Sequence, residues 1–286
     1  MKVKILCDSA SDLSQEDLEQ FGIDMVPLRV TLQGEEYEDG ITISPKEVYD
    51  AMREGAAPKT SQVSPQAFRD AFINYAKNEQ PFVYFAFSSG LSGTYQTAKM
   101  VEQEVKDEYP NAKFEVRDTK AASLGYGLVI LRIAELAAEG ASLKEIVDTG
   151  TYHAEHMEHI FTVDNLEYLY RGGRVSRTSA FVGSLLKIKP LLHMEDGNLV
   201  PLEKIRGSKK VFKRMIEVMA ERGTDLQNQR IAISHADARD TAEYVADLIR
   251  SEFTVKDIHI DMVGSTIGAH AGPGTIALFF LNHPYK

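Results

Sequence analysis

The sequence predicts a two-domain α/β protein. Short apolar runs alternate with amphipathic stretches through the first half, which is typical of a layered domain with a mostly parallel sheet. From about residue 160 the apolar runs flank turns, which indicates a second α/β domain with a mixed or antiparallel sheet. The 286 residues suit two domains of ordinary size. We expect these domains to cover residues 1–158 and 159–286.

Short apolar runs mark the strands that we predict for the first domain. Each run is bounded by polar or glycine-rich stretches, as expected of strands that are covered on both faces. The predicted strands cover residues 3–7, 25–32, 82–87 and 114–118.

Capping residues mark where the helices of the first domain begin. Ser14 can cap a first helix, and Ser64 followed by Pro65 gives a second helix start. Ser142 with Glu145 forms a capping box for another helix. Strands and helices therefore alternate along this half of the chain.

The second half contains one clear hairpin signal. An Asp-Gly pair at residues 196–197 separates apolar runs at 185–192 and 199–205, which predicts two antiparallel strands. The remaining periodic segments predict helices at 208–221 and 238–251 and strands at 230–235, 255–262 and 275–281.

Charge and cysteine content limit the kinds of partner. The 42 acidic and 32 basic residues leave a net charge of −10, so the chain as a whole repels nucleic acid and anionic membranes. We expect no nucleic-acid partner and at most transient membrane contact. With Cys7 as the one cysteine, no intrachain disulfide can form, which favours the cytoplasm.

Ser92 is the most informative single position. It follows the predicted strand at 82–87 and precedes a helix, where a hydroxyl and backbone N–H groups can cap the helix or bind an anion. A hydrolase nucleophile occupies a similar turn, with glycines two residues to either side. Gly90 fits that pattern and Thr94 does not. Thr60 and Ser61 offer hydroxyls before another helix start.

Histidines suggest two further features. His270 lies in a glycine-rich segment, residues 267–274, which we interpret as a loop that either approaches a ligand or forms a tight turn. His153, His156 and His159 recur every third residue, which favours a solvated face over a helical zinc pair. We therefore predict no metal site.

Residues 204–214 hold six basic residues and no acidic one. This contrast with the acidic chain is typical of a docking surface for an acidic partner or phosphate, and a solvated helix face gives the same pattern. Arg171 and Arg174 add positive charge beside two glycines.

Several short motifs occur in order along the whole chain. They are Asp-Ser at 8–9 with Asp12, Thr-Ser-Gln-Val-Ser at 60–64, Ser-Ser-Gly-Leu-Ser-Gly-Thr-Tyr-Gln at 88–96, Arg-Gly-Gly-Arg at 171–174, Lys-Ile-Arg-Gly at 204–207, and Ile-Gly-Ala-His at 267–270 with Gly-Pro-Gly at 272–274. Together these segments resemble the DegV family, the acyl-binding proteins that serve a bacterial fatty acid kinase. Val63 stands where we expect proline in many relatives.

The resemblance implies a protein that binds a long-chain fatty acid, with the carboxylate at the domain interface and the tail in a buried tunnel. It implies that Thr60, Ser92 and His270 bind the carboxylate, and that Arg174 and Arg206 lie at the mouth, toward a kinase subunit. The residues expected to line the site are Ser61, Gly93, Gly268 and Ala269. The kinase would phosphorylate the acid to an acyl phosphate.

The resemblance implies a carrier without a cofactor rather than an enzyme. One alternative is a serine hydrolase or esterase that uses Ser92 and His270, with the acyl group as its substrate. Another is a regulatory protein that docks through residues 204–214. Both remain open at the level of the sequence.

Overall fold

The computed structural model describes residues 1–175 and 188–285. Thirteen strands are described: β1 (Lys4–Asp8), β2 (Ile23–Val26), β3 (Arg29–Leu32), β4 (Glu35–Glu38), β5 (Lys59–Ser61), β6 (Phe82–Ala86), β7 (Phe114–Asp118), β8 (Met157–Thr162), β9 (Ile188–Glu195), β10 (Asn198–Arg206), β11 (Arg230–His235), β12 (Asp257–Met262) and β13 (Ile276–Leu281).

Ten α-helices are described within the same residues. They are α1 (Gln15–Phe21), α2 (Pro45–Arg53), α3 (Pro65–Lys77), α4 (Thr94–Glu108), α5 (Ser123–Glu139), α6 (Leu143–Glu155), α7 (Glu167–Arg171), α8 (Ser208–Arg222), α9 (Arg239–Glu252) and α10 (Ser265–Ala271). In these residues no helix is both long and apolar enough to cross a membrane.

Two main sheets confirm the predicted fold class. The first has the order β2-β1-β6-β7 and is parallel throughout. The second has the order β10-β9-β8-β13-β11-β12 and is mixed, with β11 and β12 parallel and its other neighbours antiparallel. A small antiparallel sheet, β4-β3-β5, was not predicted.

The predicted helix starts are confirmed by their caps. Ser14 and Ser142 each form a capping box with the carboxylate three residues later. Ser64 accepts a hydrogen bond from the backbone N–H of Ala67, and Pro65 occupies the first position of α3. These local signals work because each satisfies N–H groups that a helix start otherwise leaves without partners.

Two segments differ from the prediction. Residues 25–32 form not one strand but parts of β2 and β3, which belong to different sheets, because Pro27 between them cannot donate to a strand ladder. Residues 59–61, for which no strand was predicted, form β5. The hairpin at Asp196–Gly197 is confirmed by β9 and β10, and residues 185–187 of the predicted strand lie outside the described residues.

Helix α5 joins the two main sheets. It packs on β1 of the parallel sheet and on β8, β11 and β13 of the mixed sheet. Twelve of its seventeen residues are buried, because both sides of the helix face a sheet. Its N-terminus therefore lies where the two sheets approach each other, and Ala122 and Ser123 at this end line an apolar cavity.

Candidate functional site

A cavity lies between the two sheets and the small β4-β3-β5 sheet, and its empty space of about 830 Å³ includes open solvent at the mouth. Most of its wall is apolar and comes from both halves of the chain. The wall includes Phe87, Leu91, Phe161, Met194, Val263 and Phe279. Such a wall favours an elongated apolar ligand over a highly polar one.

Four polar residues gather in this wall, and we call Thr60, Ser92, Arg174 and His270 the polar cluster. The Thr60 hydroxyl and His270 Nε2 are 2.7 Å apart and share a hydrogen bond. The Ser92 hydroxyl is 2.8 Å from the hydroxyl of Thr94 and also accepts the Thr94 backbone N–H. Hydroxyls, an imidazole and a guanidinium are groups that can together bind a carboxylate.

Backbone pairing positions Thr60 and Ser92. Thr60 lies on β5 and pairs with Val30 of β3, which fixes the direction of its side chain. Ser92 lies in the turn after β6, where its N–H donates to the carbonyl of Ser88. The Ser88 hydroxyl in turn donates to the carbonyl of Gly197 at 2.7 Å, which attaches this turn to the β9–β10 hairpin.

His270 lies on helix α10, which corrects the prediction of a glycine-rich loop at residues 267–274, because residues 267–271 of that segment are helical. The loop prediction was wrong because tertiary contacts stabilise a helix that this sequence does not strongly favour. The Asp39 carboxylate accepts the N–H groups of Ser265 and Thr266 at the start of α10. Gly268 packs so closely on Tyr49 that a Cβ there would overlap the phenol ring.

The electrostatic environment keeps His270 neutral. Burial and the nearby positive charges of Arg174 and Arg171 lower its pKa to about 4. Gly172 packs against the ring so closely that a Cβ would overlap Nδ1. At neutral pH the uncharged ring can donate or accept one hydrogen bond at Nε2, while the arginines supply the positive charge.

Arg174 links two parts of the cavity wall. Its Nε donates to the Leu91 carbonyl at 3.1 Å, and another guanidinium nitrogen donates to the Gly172 carbonyl at 2.5 Å. Burial lowers its pKa, but an arginine stays charged at neutral pH. The guanidinium is therefore a half-buried positive charge beside His270.

His159 lines the cavity and was not predicted as a site residue. Its Nε2 accepts the Ala122 N–H at 3.2 Å, and its Nδ1 lies 3.1 Å from the Met157 carbonyl, so both nitrogens have partners. Burial lowers its pKa to about 4. The solvated face predicted for the three histidines is wrong, because His153 and His159 are both buried.

The structure brings together some of the predicted site residues and not others. Thr60, Ser61, Ser92, Arg174 and His270 all line the cavity. The remaining four do not line it. Gly93 packs against the Gln62 side chain, and Gly268 packs against Tyr49. Ala269 is buried in α10, and Arg206 is exposed at the end of β10.

The basic segment at 204–214 is partly neutralised. Arg214 forms ion pairs with Glu203, Glu217 and Glu221, which lie just outside the run counted in the sequence. Lys209, Lys210 and Lys213 are exposed on or beside α8. The exposed positive surface is therefore smaller than the sequence count indicates.

A nucleophile–base pair between Ser92 and His270 is not formed among the described residues. The Ser92 hydroxyl bonds to Thr94, and Nε2 of His270 bonds to Thr60. In addition, the two arginines beside His270 disfavour the imidazolium that a general base would become. This geometry suits anion binding better than acyl transfer.

Comparison with known proteins agrees with the fold. The chain is 40% identical over 283 residues to a DegV domain-containing protein of Clostridium perfringens, covering 98% of this chain and 97% of the relative. Two similar solved structures are a fatty-acid-binding DegV family protein of Thermus thermophilus and DegV, a fatty acid binding protein from Bacillus subtilis.

The Thermus structure has a TM-score of 0.90 and 32% identity, and covers 98% of this chain and 99% of its own. The Bacillus structure has a TM-score of 0.84 and 30% identity, and covers 98% of both chains. A family model described as "Uncharacterised protein, DegV family" matches residues 2–283. With sequence, fold and family model in agreement over nearly its whole length, this chain belongs to the DegV family.

Proposed function

We propose that this protein binds a long-chain fatty acid in the cavity and presents its carboxylate to a separate kinase subunit for phosphorylation to an acyl phosphate. The carboxylate binds at the polar cluster, and the tail occupies the apolar part of the cavity. The protein acts in the cytoplasm as a carrier and performs no chemistry itself.

The observation that carries this proposal is the Thr60–His270 hydrogen bond in the wall of an apolar cavity. The pair exposes a hydroxyl and a neutral imidazole to the ligand, with Arg174 beside them. When Nε2–H of His270 donates to the Thr60 oxygen, the Thr60 hydroxyl hydrogen can donate to a carboxylate, whose charge is balanced by the arginine. The binding of fatty acids by similar solved structures supports the same conclusion.

The energetics assign different roles to the tail and the head group. Burying about 15 methylenes at about 0.8 kcal/mol each contributes about 12 kcal/mol. Association costs about 4–15 kcal/mol, so the tail provides most of the affinity. The polar cluster fixes the position of the carboxylate.

Presentation to a kinase requires that a carboxylate oxygen stay accessible to the partner. The cavity is partly open to solvent, and Arg174 lies in its wall. Arg206 and the exposed lysines of α8 provide positive charge elsewhere on the surface for an acidic partner. We infer that docking on this surface brings the kinase to the cavity.

A reconstituted reaction tests the proposal. Purified protein loaded with stearic acid is mixed with candidate kinase subunits and ATP, and acyl phosphate is trapped with hydroxylamine. We expect the hydroxamate only when all three components are present. Failure of the protein to bind any fatty acid would refute the binding function, and binding without product with every kinase subunit would refute presentation.

The same preparation separates carrier from hydrolase. Incubation with activated acyl esters gives turnover for an esterase and none for a carrier. Turnover by the wild type that is lost in Ser92→Ala would contradict the carrier function and support the hydrolase.

A further inference from the structure

A glutamine at the mouth of the cavity lies between the two segments that carry the hydroxyls of the polar cluster. Gln62 follows β5 directly, two residues after Thr60. It is exposed and it also lines the cavity, so its side chain is in contact with both the cavity and the solvent. Neither the carboxylate-binding residues nor the apolar wall described above includes it.

The Gln62 side chain is hydrogen-bonded to helix α4. Its Nε2 donates to the Thr97 hydroxyl at 2.6 Å. Thr97 is 7% exposed and does not line the cavity. The N–H of Thr97 donates to the Gly93 carbonyl, which holds the start of α4 to the turn that contains Ser92. The glutamine therefore connects the small sheet to the turn that follows β6.

This connection is not duplicated by another hydrogen bond. Among the described residues, no second hydrogen bond joins residues 59–64 to residues 88–97. Thr60 belongs to the first segment and Ser92 to the second. The hydrogen-bonded link between the segments that carry these two hydroxyls therefore runs through Gln62.

Gly93 leaves space for the Gln62 amide. A Cβ at Gly93 would overlap Gln62 Oε1. The φ of Gly93 is −73°, which any residue can adopt, so its backbone conformation does not require glycine. The close approach of the glutamine does require it. The missing side chain next to Ser92 is thus explained by the position of Gln62.

We propose that Gln62 is a positioning residue for the fatty acid carboxylate, because its bond to Thr97 sets the separation of the Thr60 and Ser92 hydroxyls. The two oxygens of a carboxylate lie at a fixed distance, so two hydroxyls bind them well only at a suitable spacing. This inference rests on the proposed function and adds to it a residue that holds the head-group site in its binding geometry.

The test compares stearic acid with stearyl alcohol by calorimetric titration of the delipidated full chain. The two ligands share a tail, so a loss of packing weakens both, whereas a misplaced hydroxyl weakens the acid selectively. Gln62→Met keeps the length of the side chain and removes the amide. We expect the ratio of acid to alcohol affinity to fall about fivefold, as for the loss of one hydrogen bond.

Two further variants change the same contact from its other side. Thr97→Val removes the acceptor at a position outside the cavity and should lower the ratio by the same factor. Gly93→Ala should displace the amide and also lower the ratio. Because Gln62→Met and Thr97→Val remove the same bond, the double variant should lose about fivefold rather than about 25-fold.

Gln66→Met is the matched control. Gln66 is exposed on α3, its amide donates to Asp70, and it does not line the cavity. This variant should leave both affinities unchanged. Urea unfolding of every variant measures the free energy of unfolding, so a loss of fold is recognised independently of binding.

The outcomes separate the positioning role from the proposed function. If the wild type binds stearic acid and the ratio is unchanged in Gln62→Met and Thr97→Val, the positioning role is refuted while the proposed function stands. An equal loss for acid and alcohol, or a loss of about 25-fold in the double variant, refutes it as well. If the wild type binds neither ligand, the proposed function itself fails.

Discussion

The Thr60 hydroxyl and the His270 imidazole share a 2.7 Å hydrogen bond although 210 residues separate them. One comes from the edge of a small sheet and the other from a short helix, and both elements are fixed by contacts away from the cavity. The pair therefore forms only when the small sheet and the short helix are both in place, and a substitution in either element can change its geometry.

Removing the hydroxyls of the polar cluster should weaken fatty acid binding. Thr60→Val and Ser92→Ala each remove one hydrogen-bonding group without a large change of volume. We expect each to lower affinity for stearic acid about tenfold, in the range of one hydrogen bond to a charged group. Calorimetric titration measures the effect. Ser251→Ala, on the exposed side of α9, serves as the control and should change nothing.

Two neighbouring glycines give a matched pair of variants. A Cβ at Gly172 would overlap His270 Nδ1, so Gly172→Ala should displace the ring and lower fatty acid affinity. A Cβ at Gly173 meets nothing within 4 Å, but φ there is +71°. Gly173→Ala should cost about 1 kcal/mol of stability and keep the affinity. Equal affinity in both variants would show that the position of His270 is irrelevant to binding.

Arg174 should act through its charge. Arg174→Met keeps an apolar side chain and removes the charge, so affinity for stearic acid should fall about tenfold or more while stearyl alcohol binds as before. Arg206→Met, at an exposed position outside the cavity, should leave both affinities unchanged. An equal loss for acid and alcohol in Arg174→Met would instead assign the effect to the lost bonds to Leu91 and Gly172.

His159 should make stability depend on pH. Its folded pKa is about 4 and its ordinary pKa is 6.5, so below pH 6.5 the unfolded chain binds a proton that the folded chain does not. Stability is therefore lost as pH falls from 6.5 toward 4. Relative to His159→Gln, the wild type should lose about 2 kcal/mol between about pH 7 and about pH 5.

Urea unfolding at several pH values measures this difference. Asp8, whose pKa is raised to about 6 by burial, titrates in the same range with the opposite effect. It is present in both proteins, and the difference between them therefore reports His159. If the free energy of unfolding changed equally with pH in wild type and His159→Gln, the assignment of this pH dependence to His159 would be contradicted.

Local signals in the sequence were sufficient for most elements. Ser14, Ser64 and Ser142 begin helices as predicted, because a cap is decided by a few neighbouring residues. The break at Pro27 was missed, although its missing N–H was a readable signal. The helix that carries His270 was missed because its stability comes from distant partners, Asp39 and Tyr49.

The site residues also fall into two groups, those that the sequence revealed and those that it did not. Thr60, Ser92 and His270 were named through their motifs, and the structure places all three in one wall. His159 belongs to a strand pattern that looks like ordinary core in the sequence. It reaches the cavity because α5 packs between the two sheets, and no spacing along the chain indicates that packing.

Mass spectrometry of the native protein tests the central claim most directly. The full chain is purified without added lipid, and its ligand is identified before and after organic extraction. The account predicts one long-chain fatty acid per chain, released by extraction and rebound on titration. A protein that carries no fatty acid and binds none on titration would contradict it.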